Sequence, residues 1–424
     1  MATTTGYQTR AFGEAAETSG VRLVFATDRC HQLEDPWQDH AIPIRFHEEE
    51  ASAGAIIEAA KQDAIDGIIT VGDRPTVIAA RVAARLGLPW HSAEAAAIAG
   101  DKERTRERLR DAGLPVPWFL PSRLDADSLD LARSVTYPCV VKPVALSGSR
   151  GVMRADHADD FRAAFDRLRA LVRRPELLAE RNDAHGRVLI EGFIPGREFA
   201  LEGLLHHGAL KVLALFDKPD PLDGPFFEET IYVTPSSLDA AARQRVVDTV
   251  ARAAAAIGLR HGPIHAECRV NDRGVFVLEV AARPIGGLCA RALRFAKRGV
   301  DARPLFSLEE LLIRHALGES PESWTRETCA SGVMMIPIPA PGVYRGVSGL
   351  DDAKSVTGID GVAITAKTDQ ILVPLPEGAS YLGFIFARGD TTAAVDRALR
   401  EAHTRLQFAI EPELRVVQSR HGAV

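Results

Sequence analysis

The sequence predicts a mixed α/β and α+β protein of several domains, and three observations carry that expectation. Strand and helix patterns alternate through the first hundred residues, which argues for a parallel sheet. A polarity-alternating hairpin holding two glutamates follows the middle of the chain, and from Ser331 the pattern changes to short strands closed by one amphipathic helix. At 424 residues the chain is too long for one simple core, and about two to four domains are expected.

Taken in order, residues 21–26 and 67–71 read as strands, 56–62 and 76–86 as helices, the latter stopped by Gly87. The start is unusual, because 9–19 reads as a helix with no clear strand before it. Either the first strand is short or the chain begins late. A second unit opens at Asp101-Lys102 with an arginine-rich helix to Gly113, followed by the proline-rich connector Leu114-Pro115-Val116-Pro117-Trp118. A strand, Cys139-Val140-Val141-Lys142-Pro143, leads into a small-residue loop, Ser147-Gly148-Ser149-Arg150-Gly151-Val152. Residues 188–205 contain a strand, a crossing from Gly192 to Gly196 and another strand. A helix over 244–256 closes at Gly258, another spans 305–317, and a last one spans 393–406. There are no internal repeats or low-complexity tracts.

The formal charge of −6 leaves no basic surplus for a nucleic-acid backbone. Five cysteines (Cys30, Cys139, Cys268, Cys289, Cys329) show no C-x-x-C spacing, which fits buried thiols in a reducing cytosol, and none is a nucleophile candidate. No apolar run reaches the roughly twenty residues of a membrane span, and the N-terminus lacks a signal-peptide core, so a cytoplasmic protein is expected.

The hairpin carries the most chemistry. Its strands, 263–270 and 275–283, are joined by Asn271-Asp272-Arg273-Gly274. A three-residue loop, Asp272-Arg273-Gly274, would pair Asn271 with Val275 and set Glu267 opposite Glu279. Opposed carboxylates roughly 5 Å apart at Cβ repel unless a cation or proton lies between them, and a divalent metal suits that position. Alternation puts Arg283 on the face of Glu279, while Ile264, Ala266, Cys268 and Val270, with Phe276, Leu278 and Val280, pack the other faces. An ordinary solvated sheet face would show the same acidic pair, but the apolar flanks and the turn Arg283-Pro284-Ile285-Gly286-Gly287 favour a ligand site.

Lys142 ends its strand beside the glycine and serine loop, a pairing of fixed charge and backbone N–H groups that suits nucleotide phosphates. A surface lysine before a turn would look alike, and no Walker A or G-x-G-x-x-G motif is present. Glu191 and Glu198 flank Gly192-Phe193-Ile194-Pro195-Gly196-Arg197, which offers an apolar, extended backbone to an adenine edge and a carboxylate to ribose, or else a plain connecting turn.

In this order, Lys102, Val-Val-Lys142-Pro with Ser-Gly-Ser-Arg-Gly, Glu191 and Glu198, then Glu267 and Glu279-x-x-x-Arg283, the sequence resembles the ATP-grasp superfamily. Glu279-Val-Ala-Ala-Arg283-Pro-Ile-Gly-Gly, Gly332-Val-Met-Met-Ile-Pro and Tyr381-Leu-Gly-Phe-Ile-Phe-Ala-Arg388 look most like its bacterial L-amino acid ligase branch. The resemblance implies a pre-ATP-grasp α/β domain (1–100), an N-terminal ATP-grasp part with the lid (101–200), a nucleotide-binding core with the metal hairpin (201–325) and a small C-terminal α+β domain (326–424). It implies amide or peptide bond formation through an acyl phosphate. Lys102 and Lys142 would contact ATP phosphates under the loop of Ser147, Gly148, Ser149 and Gly151. Glu191, Phe193 and Ile194 would line the adenine site, with Glu198 on ribose. Glu267 and Glu279 would hold two Mg2+ ions, with Mn2+ as an alternative, and Arg283 would stabilise the transferring phosphoryl group.

Glu229-x-x-Tyr232-x-x-Pro235-Ser236 resembles the branch's substrate loop, where Glu229 can meet an amino group, and Gly286 and Gly287 could offer backbone donors to a carboxylate. Tyr232 stands where the family often has histidine, and Ala281 where many members have a metal-binding asparagine. His265 shares the metal face, although a lone histidine is more often a structural hydrogen-bonder. The partners implied are a small-molecule carboxylate and an amine, with no nucleic acid, no membrane and a homodimer left open. A carboxylase-type or formate-activating relative of the same superfamily is the alternative activity.

Overall fold

The structure, a computed structural model, describes residues 2–3, 6–28, 41–300 and 305–412. Cys30 lies outside the described residues. The N-terminal unit is a parallel sheet in the order Ile42–Pro43, Ala26–Thr27, Ala2–Thr3, Thr70–Val71. The first strand is therefore present but only two residues long, too short to display a period of two. For the same reason the expected strands at 21–26 and 67–71 shrink to Ala26–Thr27 and Thr70–Val71. The helix Thr76–Leu86 ends as expected, with Gly87 at φ 69° in the left-handed region.

A second sheet, antiparallel, runs Phe119–Arg123, Arg187–Gly192, Cys139–Pro143, Met153–Ala155. It is covered by the helix Ala158–Val172, whose Phe161, Phe165 and Leu168 repeat at helical spacing and are fully buried. Gly151 tucks under this helix. At φ 72°, an added Cβ would lie 2.9 Å from Leu168 and 3.0 Å from Leu171, so only glycine fits.

The central sheet has eight strands, in the order Gly274–Ala281, Gly262–Asn271, Arg197–His206, Ala209–Asp217, Ile231–Thr234, Ala330–Ile336, Gly383–Gly389, Ile359–Ile364. All neighbours are antiparallel. The short strands after Ser331 thus extend the sheet that carries the hairpin. The helix Ala240–Ile257 packs Val246, Val250, Ala253 and Ile257 on one face, against Leu201, Ile264, Ala266, Cys268 and Val280. On the other face Phe12, Ala15 and Ala16 of the helix Gly6–Thr18 meet Phe216, Phe295, Leu312 and Trp324. No helix among the described residues is long and apolar enough to cross a membrane.

The hairpin reaches the expected pairing by a different route. Asn271 pairs with Gly274, which makes a two-residue loop, and this register would have put Glu267 opposite Leu278. A β-bulge after Cys268↔Val277 skips Leu278 and restores Glu267↔Glu279. The bulge also changes faces: Val275 and Val277 join Val280 in the core, whereas Leu278, expected there, turns onto the cavity side.

Candidate active site

Strand alternation places Glu198, Ala200 and Glu202 on one face of the 197–206 strand, directly opposite Arg269, Glu267 and His265 of the 262–271 strand. Two of these three cross-strand pairs are ionic, Arg269 Nε donating to Glu198 at 3.0 Å and His265 lying 3.1 Å from Glu202. Glu267 faces only Ala200, so its carboxylate has room to reach outward, with Glu279 across from it on the other side. This face floors a cavity of about 620 Å³ at the junction of the three sheets described above. The size suits a nucleotide-scale ligand.

Every residue assigned from the sequence to phosphate, adenine, ribose, metal or substrate lines this cavity except Gly151. That glycine instead fixes the loop from behind, its N–H donating to Pro376 O at 2.8 Å. Gly148 and Ser149 both take left-handed backbone, φ 63° and 55°, so consecutive turns aim the loop back at the cavity.

At one end, Phe193, Ile194, Val140, Phe227 and Leu278 form an apolar slot beside Lys142. Glu191 differs from its expected use. Its carboxylate is buried and already holds Lys142 and Arg106, the latter at 2.8 and 3.2 Å. Burial alone would raise its pKa, but Arg106 and then Lys142 outweigh this and hold it at about 2. Burial lowers Lys142 to about 8 despite Glu191. Glu198 is likewise occupied, by Arg269 and by Lys218 at 2.7 Å.

At the centre, Lys102 donates to Leu146 O at 2.7 Å and lies 3.0 Å from Glu279. The ammonium of Lys218 contacts Glu198, Glu229 and Glu267 at once. Ligand atoms of these three glutamates lie within 4.8 Å of one another. Burial drives the Glu229 carboxyl up, Glu267 adds to this and Lys218 opposes it, leaving it near 7. Glu267 is held well below the usual carboxylate range, since Lys218 and His265 overcome its burial. His265 is raised to about 9, its burial outweighed by Glu202 and Glu267, so at neutral pH it is an imidazolium between two carboxylates. Tyr232 is buried, its phenol pushed well upward by burial and Glu229, with the hydroxyl 3.4 Å from Glu267.

At the far end Arg283 forks onto Asp73, Nε at 2.7 Å and Nη2 at 3.2 Å, and donates from Nη1 to Pro284 O at 3.0 Å. Ile285 N donates to Glu202, which tethers the Gly286-Gly287 turn. Cys289, Met335, Tyr381 and Phe384 complete an apolar wall. Burial pushes the thiols of Cys139 and Cys268 up to about 12 and that of Cys289 upward as well, so these thiols are poor nucleophiles.

The donor set of Glu267 and Glu279, hard oxygens opposed in register and each charge-balanced by a lysine, fits a divalent cation of the magnesium type. Ala281 offers no third side-chain oxygen. Sequence reasoning missed Lys218, Arg106, Arg269, Asp73 and Glu202. Lys218-Pro219 repeats the strand-end pattern of Lys142-Pro143, and Arg106 is one helical turn from Lys102, so two of these signals were present.

Residues 13–90 match the family described as ATP-grasp N-terminal domain, 135–292 match the ATP-grasp domain, and 334–411 match L-amino acid ligase C-terminal domain 2. The class that this fold and these matches define is the ATP-grasp fold, and the chain belongs to the ATP-grasp superfamily. Within it the likeness is to the L-amino acid ligase branch. The crystal structure of L-amino acid ligase from Bacillus licheniformis superposes with a TM-score of 0.80 at 26% identity, covering 97% of this chain and 98% of that one. Alanine–anticapsin ligase of Bacillus subtilis is 25% identical over 262 residues, 59% of this chain and 54% of the relative. D-alanine–D-alanine ligase of Hydrogenovibrio crunogenus is 33% identical over 185 residues, 42% of this chain and 53% of the relative. The matched segments thus span about half the length of these two curated relatives.

Glu191→Gln is expected to destabilise the fold by about 3 kcal/mol, because it removes the one carboxylate that pairs with both Arg106 and Lys142 and leaves two buried cations uncompensated. Urea unfolding with and without the substitution measures it, and an unchanged midpoint would remove Glu191 from its anchoring role.

Proposed function

We propose that the chain catalyses ATP-dependent ligation of a carboxylate to an amine, with an amino acid or related small carboxylate as the acyl donor. The observation that carries this reading is the single cavity that joins a lysine-and-loop end, a pair of opposed glutamates and an arginine-bearing, apolar-walled end. The names of the alanine–anticapsin and D-alanine–D-alanine ligases support an amino acid on at least one side of the new bond.

Direct amide formation in water is uphill. In the proposed reaction a carboxylate oxygen attacks the γ-phosphorus of ATP, the bond to ADP breaks, and the acyl phosphate forms. The amine then attacks the acyl carbon and inorganic phosphate departs. Lys102, Lys142 and the Ser147–Arg150 backbone hold the phosphates, and Phe193 and Ile194 pack on the adenine. Glu267 and Glu279 would hold the magnesium, which draws charge from the phosphate oxygens. Arg283, aimed by Asp73, meets the negative charge that grows on the phosphoryl oxygens and on the tetrahedral intermediate. Glu229, when ionised, meets a substrate ammonium, and the N–H groups of Gly286 and Gly287 face its carboxylate. His265, pinned by Glu202, keeps Glu267 ionised and oriented.

Phosphate release from MgATP across amino acids, singly and in pairs, with bicarbonate and formate alongside, tests the proposal. Release should require both a carboxylate and an amine, with a product lighter than their sum by one water in the mass spectrum. Release with bicarbonate or formate alone would overturn it.

Arg283→Ala should lower kcat on the order of 100-fold or more while ATP affinity stays near the parent value. Equal turnover would take Arg283 out of the reaction.

The Glu229 carboxyl near 7 sets a pH dependence. Its charged form gains population as pH rises, so kcat/KM should climb up to tenfold per unit below about 7 and level above it. Glu229→Gln should abolish that limb, and a limb that persists in this variant would assign it to another group.

A further inference from the structure

Far from the cavity, the opposite ends of the same strands bring five histidines together. His206 ends the strand Arg197–His206, His261 precedes the strand Gly262–Asn271, and His315 lies in the last turn of the helix Leu308–Ala316. His261 and Glu267 are six positions apart, which at the usual strand rise is roughly 20 Å. The ligand nitrogens of His206, His261 and His315 all lie within 4.8 Å of one another. His206 Nδ1 and His315 Nε2 are 3.3 Å apart, close to the edge of about 3.3 Å that a tetrahedron with metal–nitrogen bonds of 2.0–2.1 Å requires.

His261 supplies a second, independent observation. The residue is only 4% exposed, yet neither ring nitrogen has a hydrogen-bond partner among the described residues. Buried polar atoms are normally paired, and two on one ring call for an explanation. The backbone of His261 is held firmly, because His91 Nδ1 accepts from Arg260 N at 3.1 Å and from His261 N at 3.3 Å. His91 is thereby a positioning residue and has no nitrogen free to join the group, its Nε2 lying 3.4 Å from Pro263 O. His207 stands beside the group, its ring 4.5 Å from that of His206 and 4.9 Å from that of His261. It is exposed and takes φ 51° in the two-residue turn with Gly208, a place normally given to asparagine or glycine.

We propose that His206, His261 and His315 form a binding site for a divalent late transition-metal ion, zinc foremost, with the fourth position open on the solvent side where His207 stands. Three imidazoles and no carboxylate among the three suit zinc, nickel, copper or cobalt, and exclude magnesium and calcium as strong ligands. The ion would bind the 308–316 helix to the end of the central sheet, and through His91 to the segment that follows the 76–86 helix. That position makes it a structural clamp, separate from the magnesium of the ligation reaction.

The test uses the full chain, tag-free and stripped of metal, titrated with Co2+ in saturating Mg2+, followed by displacement with Zn2+. One Co2+ per chain should bind with the visible absorption of a tetrahedral nitrogen site, and one equivalent of Zn2+ should erase it. His206→Ala, at a half-buried rim position, should weaken binding on the order of 100-fold, and His261→Asn should do the same. Glu267→Gln should leave binding unchanged. No bound ion in the parent chain overturns the proposal, as does an ion insensitive to both histidine variants or one lost in Glu267→Gln, which would place it in the ligation cavity.

Discussion

Carboxylates crowded into one cavity repel one another, and the arrangement of this chain follows from balancing them. Glu191 takes Arg106 and Lys142, Glu198 takes Arg269 and Lys218, Glu202 takes His265, Glu279 takes Lys102, and Asp73 takes Arg283. The cations come from the 102–111 helix, the 139–143 strand, the end of the 209–217 strand, the 262–271 strand and the turn after the hairpin. Each pair crosses from one part of the sequence to another. Buried ion pairs add little net stability over apolar packing, but a misplaced one leaves an uncompensated charge. The network therefore selects one mutual arrangement of the three sheets, and it is the arrangement that gives the cavity its shape.

Much of this was legible in the sequence, and the failures have specific causes. The long helices announced themselves by periodicity and caps, so 76–86 stops at Gly87 and 240–257 at Gly258. The two-residue strands of the N-terminal sheet carry no periodic signal. The hairpin is more instructive. Its loop is one residue shorter than expected, yet Glu267 and Glu279 still face each other, because the bulge at Leu278 cancels the one-residue difference. A bulge leaves no mark in a polarity pattern other than a break in phase, and the apolar run Val275-Phe276-Val277-Leu278 hides that break. The candidate residues converged on one cavity, whereas most of their charge partners were missed. A side chain with a chemical role can be named from motif order, but its counter-ion is fixed by register between distant strands. Glu202 opposite His265 and Arg269 opposite Glu198 depend on pairing across more than sixty residues.

Tyr232 and Ala281 stand where the resemblance read from the sequence leads one to expect histidine and asparagine, and their surroundings give each residue a physical consequence. Tyr232 lies against Phe216 and under the Lys218 ammonium, 5.0 Å from its ring centre. A phenol there is neutral over the whole physiological range, so the position contributes a hydrogen bond and an aromatic face and no titrating charge. The positive charge that a histidine would bring is supplied from Lys218 and His265 instead. Ala281 pairs directly with His265. A larger polar side chain at 281 would compete with Glu202 and Glu267 for that imidazolium.

The two ends of the cavity are also joined mechanically. Gly151 N donates to Pro376 O, Arg150 Nε to Glu377 O at 2.8 Å, and Arg167 pairs with the Glu377 carboxylate. The segment that makes these contacts continues within a few residues into Ala379, Ser380 and Tyr381, which line the far wall. Besides the packing of Gly151 under the 158–172 helix and the pairing of Arg150 with Glu176, the hydrogen bonds to 376–377 hold this loop of glycines and serines in position. A shift of the far wall would be carried along three residues of backbone to the loop of Ser147–Gly151. A short link of this kind couples the position of the far wall to that of the loop.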